Sequence, residues 1–131
     1  MTDARKIVEA EYGKESIHLC PSLILSGNIH RDLGNIIDAL ENYKQCLHIL
    51  SKSPDHISEG KVKYEIGTLF SSNGSFNRAI AFYAESLRHA TLRLGFESKE
   101  VARCLCAIGW IARETALDLN SIAFVRQGEK R

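Results

Sequence analysis

Along residues 36–50 the apolar side chains fall at steps of three and four rather than alternating. Ile36, Ala39, Leu40, Tyr43, Leu47 and Leu50 form one stripe, and Phe76, Ala79, Ile80, Tyr83, Leu87 and Ala90 form a second. Such steps return to one face of a 3.6-residue helix, with the polar residues left on the other. No run alternates in the manner of a strand. The pattern predicts helices over about 2–12, 16–33, 35–52, 57–73, 75–94 and 98–115, with a weaker one near 119–128. Gly34 and Gly74 sit where a helix should stop, as left-handed residues just past a helix end.

The two stripes belong to a longer recurrence. Gly27, Gly34, Ala39, Tyr43 and Leu47 return 40 residues later as Gly67, Gly74, Ala79, Tyr83 and Leu87, with Ile29, Ile36 and Leu40 answered by Leu69, Phe76 and Ile80. A fainter third copy lies 42 residues further on, where Ile108-Gly109 answers Ile66-Gly67. Self-similarity at this period marks a solenoid, whose units are too small to bury an apolar face alone and must stack on their neighbours. Glycine within a helix costs about 0.5–1 kcal/mol relative to alanine, so Gly27, Gly67 and Gly109 need a reason. Close approach of a second helix supplies one, with Ala39 and Ala79 expected at the facing positions.

Ile66-Gly67-x-x-Phe70 followed by Ala79-x-x-x-Tyr83 resembles the tetratricopeptide repeat, whose pattern runs Leu-Gly-x-x-Tyr and then Ala-x-x-x-Phe. The first copy reads Ser26-Gly27-x-x-His30 and Ala39-x-x-x-Tyr43. The third reads Ile108-Gly109-x-x-Ala112 and Ser121-x-x-x-Val125, its second half degenerate. Units of this length with an extended second helix look like the kinesin light chain subtype. The resemblance implies an all-α, tetratricopeptide-type helical-hairpin solenoid, a right-handed superhelix of about three repeats. It divides the chain into a lone helix at 1–13 resembling the tail of a preceding repeat, repeat 1 at 14–54, repeat 2 at 55–95 and a degenerate repeat 3 at 96–131. The family's Trp position holds Leu23, Lys63 and Leu105, and no Pro closes a repeat.

Composition narrows the function. Seventeen Lys and Arg against 16 Asp and Glu give a net charge of +1, which argues against nucleic acid as the main partner. No apolar run reaches the ~20 residues that span a bilayer, and the amino terminus lacks a signal-peptide core, so a cytoplasmic protein without membrane contact is expected. Cys20, Cys46, Cys104 and Cys106 include no C-x-x-C pair, and two residues apart on a helix Cys104 and Cys106 point about 200° apart, so neither metal nor disulfide is expected. The histidines are scattered, and no phosphate loop, H-E-x-x-H or nucleophile elbow occurs. No cofactor and no catalysis are expected.

What remains is the concave face that stacked helix pairs create. If the resemblance holds, the first helix of each repeat lines it. Counting around those helices from the glycines places Asn28 and Arg31, then Lys61, Tyr64, Glu65 and Thr68, then Arg103, Trp110 and Arg113 toward the groove, with acidic Asp32 and Glu114 among them. An aromatic side chain among arginines suits a peptide with an apolar anchor and acidic neighbours. The alternative for Trp110 is packing against the degenerate last helix. The expected role is a protein-binding adaptor or scaffold that takes a peptide segment of its partner; the alternative is a structural or regulatory segment of a larger solenoid with no ligand site of its own. Oligomeric state and partner identity are not legible in the sequence.

Overall fold

The computed structural model describes residues 17–52 and 58–129, with side chains described for 18–52 and 59–116. Five helices follow one another: α1 (Cys20–Asp32), entered through a single 3-10 turn at Ile17–Leu19, α2 (Ile36–Leu50), α3 (Ser58–Ser72), α4 (Phe76–Leu94) and α5 (Lys99–Glu129). Among the described residues there is no strand. The all-α expectation holds, and the chain is a tetratricopeptide-type solenoid of about three units, with α1–α2 and α3–α4 as hairpins and α5 opening the third. The helix expected at 2–12 lies outside the described residues.

Local chemistry sets the helix ends. Pro21 stands in the first turn of α1, where its missing N–H costs nothing. Gly34 and Gly74 adopt φ of +83° and +82°, and each completes the same paired lock. The amide of Asn35 reaches the His30 carbonyl at 2.8 Å while that of Gly34 reaches Arg31 at 3.0 Å; Ser75 reaches Phe70 at 2.9 Å while Gly74 reaches Ser71 at 3.1 Å. These are the two hydrogen bonds of a Schellman ending, satisfying carbonyls that the last turn would otherwise orphan. Gly95 ends α4 at φ +85°, and the Ser98 hydroxyl accepts from the Val101 amide at 3.2 Å to start α5.

The core runs along the inner faces of all five helices, through Leu23, Tyr43, Leu50, Val62, Ile66, Leu69, Tyr83 and Ile111. Gly27 and Gly67 are buried inside it, but the group above each is a tyrosine ring rather than Ala39 or Ala79. A Cβ on Gly27 would lie 2.5 Å from Tyr43 Cε1, and one on Gly67 would lie 2.8 Å from Tyr83 Cδ1. The ring lies flat where a side chain would stand, and the alanines are buried elsewhere on the same helices.

The third copy departs from this scheme. The sequence pattern ends one helix near 115 and starts another near 119, whereas α5 continues unbroken for 31 residues. Ala116 stands where Gly34 and Gly74 stand in the earlier copies, so the left-handed residue that ends α1 and α3 is missing. Gly109, aligned with Gly67, is exposed and has nothing within 4 Å of its Cβ position. Among the described residues the close approach expected for it is therefore not made.

Gly67→Ala should destabilise the chain by about 1–3 kcal/mol through overpacking against Tyr83, despite alanine's better helix propensity. Tyr83→Ala should cost about 3–5 kcal/mol. In a Tyr83→Leu background the glycine substitution should cost far less, and a denaturant double-mutant cycle showing additive effects would contradict the ring-over-glycine contact.

Candidate functional site

A buried tyrosine ring brings a hydroxyl with it, and the first helices supply its partner. Tyr43 donates to Asn28 Oδ1 in the first hairpin. In the second, Thr68 donates to the Tyr64 carbonyl at 3.1 Å and lies 2.9 Å from the Tyr83 hydroxyl, which donates to it. Asn28 and Thr68, expected in the groove, occupy the same place in successive copies and are engaged in holding the hairpins shut. Arg31 is also engaged: its Nη1 reaches Glu65 Oε2 at 2.7 Å, with the two side chains 18% and 16% exposed. This ion pair ties α1 to α3, one repeat to the next.

Four of the expected residues do meet. Lys61, Tyr64 and Glu65 on α3 and Arg103 on α5 line an open depression of about 200 Å³, closed on its third side by His89, Ala90 and Leu94 of α4. Its floor is a relay across three helices, in which Ser86 donates to the Gly60 carbonyl at 2.7 Å and accepts from the Cys104 thiol at 3.4 Å. Tyr64 packs at 5.3 Å between ring centroids against Tyr83, which anchors it from below. Burial raises the Tyr64 phenol, with nearby Glu65 adding to the effect and Arg103 opposing it, so it remains a neutral donor at pH 7. Among the described residues neither Lys61 nor Arg103 has a carboxylate at ion-pair distance.

Beside the depression Lys63 Nζ reaches Glu85 at 2.7 Å, Glu59 at 3.3 Å and His89 Nε2 at 3.4 Å. Burial lowers the His89 pKa, more than Glu59 restores it, so a neutral imidazole accepts from the lysine. These contacts were not legible beforehand; the i,i+4 spacing of Glu59 and Lys63 was their one signal in sequence.

Trp110 and Arg113 lie outside the depression. Trp110 is 50% exposed and meets Phe76 edge-on at 6.1 Å, seven residues along α5 from Arg103 and so on the same stripe of that helix. Arg113 is exposed one turn further on. Cys20, Cys46 and Cys104 are buried, and Cys106 is exposed. Among the described residues no cluster of metal-ligating side chains occurs, and no helix is long and apolar enough to cross a membrane.

The sequence profile of the tetratricopeptide repeat matches residues 18–91, which takes in the first hairpin and the second as far as Thr91, one residue past Ala90 of the depression's α4 wall. The chain belongs to the tetratricopeptide repeat family. Comparison with curated proteins finds no match. Tetratricopeptide repeats are generally protein–protein interaction modules and typically not enzymes.

The tyrosine locks carry a pH signature. Burial pushes the Tyr43 phenol up to about 12, against about 10 in an unfolded chain. Between those values the unfolded state has released the proton and the folded state retains it, so stability is intact below the lower value and falls as pH rises toward the upper. The expected loss is about 1.4 kcal/mol per pH unit for this one group. Denaturant midpoints across the alkaline range should drop with this slope or a steeper one, because Tyr83 is raised in the same way; Tyr43→Phe should flatten it.

Proposed function

We propose that this tetratricopeptide module is an adaptor that binds an extended acidic segment of a partner protein in the groove formed by α3, α4 and α5. The observation that carries the reading is that Lys61 and Arg103, which have no ion-pair partner among the described residues, line the depression together with Tyr64 and Leu94, alongside the carboxylates of Glu65 and Glu100. An acidic side chain between the cations and an apolar one against Tyr64 and Leu94 would satisfy both surfaces. Trp110, about 10 Å along α5 by helical rise, offers half its ring as a second apolar contact, and Arg113 a further cation. Arg31, Asn28, Glu65 and Thr68 shape the groove from beneath by fixing the tyrosines and the first inter-repeat junction. The 40-residue spacing and the 19-residue second helix α4 support the kinesin light chain-like subtype.

Fluorescent octapeptides carrying a central leucine and a graded number of acidic residues provide the test. Affinity should rise with acidic content and weaken with added salt. Lys61→Glu and Arg103→Glu should each weaken binding about threefold to tenfold, the range of roughly 0.7–1.4 kcal/mol expected for partly exposed charges. Arg88→Glu, an exposed position on α4 outside the depression, should leave it unchanged. Binding that ignores acidic content, or that responds to Arg88→Glu as strongly as to Arg103→Glu, would place the partner on another surface.

A further inference from the structure

His89 belongs to two neighbourhoods at once. It lines the depression with Lys61, Tyr64 and Arg103, and its Nε2 lies 3.4 Å from Lys63 Nζ and 3.7 Å from Glu59 Oε1 in the cluster beside it. A close approach of two helices holds the ring there. A Cβ on Gly60 would stand 3.0 Å from His89 Cβ, so the glycine makes room for this side chain, while Ser86 on the same helix as His89 donates to the Gly60 carbonyl at 2.7 Å. The imidazole side chain keeps 21% of its surface exposed, enough for exchange of a proton with solvent.

Charge reaches His89 from every helix packed around it. Glu59 and Lys63 approach from α3, where Lys61 and Glu65 line the same depression. Glu85 and Arg88 flank it on α4, and Glu100 and Arg103 face it from α5. Burial and the cations Lys63 and Arg88 keep the proton off, against the pull of Glu59 and Glu85, so the ring titrates below its usual 6.5. Taking up a proton turns Nε2 from an acceptor into a donor. Its contact with Lys63 is then lost, but Lys63 keeps Glu85 at 2.7 Å and Glu59 at 3.3 Å, and the new N–H has Glu59 within reach. The cluster therefore accommodates both protonation states of the ring.

Resting on the groove reading above, we propose that His89 makes binding proton-dependent: a proton taken from solvent adds a third cation to the depression beside Lys61 and Arg103, and affinity for an acidic segment rises as pH falls. Linkage sets the sign. An acidic side chain in the depression favours the imidazolium, so the bound state holds more protons than the free one, and acid strengthens binding by the factor with which the ligand strengthens protonation. Stability of the free chain runs the other way. Its folded state resists the proton that an unfolded chain accepts near 6.5, so this group's contribution is intact above that value and is lost as pH falls through it.

Fluorescence titrations with an acidic octapeptide, its acidic positions filled by cysteic acid so that its charge stays fixed, test this from about pH 8 to about pH 5. Affinity should rise about twofold to fivefold across that range, the span expected for a partly exposed charge pair. His89→Gln should remove the rise, whereas His30→Gln, on α1 outside the depression, should retain it. Nuclear magnetic resonance of the histidine side chains gives a reading that needs no variant. The His89 midpoint should move up by about 0.3–0.7 pH unit under saturating peptide, the reciprocal of the affinity gain. Binding at about pH 8 with affinity that stays flat or falls toward pH 5 would overturn the proposal and leave the groove standing. A rise that survives His89→Gln, or a His89 midpoint unmoved by bound peptide, would do the same. Absence of binding at every pH would sink the groove reading itself, and this proposal with it.

Discussion

A tyrosine ring laid over a glycine sets the geometry of each hairpin, and most of the remaining structure follows from it. The ring needs the absence of a Cβ at Gly27 or Gly67. Being wholly or almost wholly buried, it also needs a partner for its hydroxyl, because an unpaired buried donor costs about 1–3 kcal/mol. That partner must come from the facing helix at one place in the repeat, which holds Asn28 in one copy and Thr68 in the next. Among the described residues no buried side-chain nitrogen or oxygen is left unpaired. One large side chain per unit thus dictates three positions, the distance between the helices and the side on which they meet.

Stacking of one unit on the next relies on a different kind of contact. Arg31 to Glu65 and the Gly60–Ser86–Cys104 relay are polar links set among apolar neighbours. Such links contribute less than the apolar burial beside them, but they fix register, since a sliding or rotated repeat would strand a half-buried charge. They also determine which side chains are left for a ligand. Arg31 and Glu65, both expected in the groove, are drawn into one of these links. Lys61 and Arg103 remain: the α4 wall beside them offers His89, Ala90 and Leu94, and Glu65 in the same lining is already held by Arg31.

The helix faces, the two turn glycines and the repeat length were legible because each is a local or periodic property: spacing shows which face is buried, and a recurrent glycine shows where a left-handed residue is needed. Periodicity does not identify the neighbour across a contact, so it could not tell that Tyr43 rather than Ala39 covers Gly27. For the same reason it could not separate Lys61 and Arg103 from Arg31, Asn28 and Thr68, which share their helical phase but have partners distant in the chain. Trp110 shares that phase too, and only the position of Phe76 shows what its inner edge touches. The continuity of α5 was open to a sequence reading, in the single replacement of the turn glycine by Ala116. Its apolar residues keep helical spacing on both sides of that point, so the stripe pattern alone did not reveal it.

That replacement has opposite consequences for the two sides of α5. Its inner side is anchored by Val101, Cys104 and Ile111, all nearly inaccessible, and these contacts are complete before residue 116 is reached. In a solenoid each unit draws its stability mainly from nearest neighbours, so the Lys61–Arg103 wall is held by α3 and α4 whatever the rest of α5 does. Among the described residues its outer side has no such support, because the small residues that would admit a close helix are there without the turn to bring one. A change that restores the turn would alter the outer side and leave the groove as it is; a change at the floor of the depression, such as at Ser86, would loosen both, since it separates α5 from α3 and α4 together.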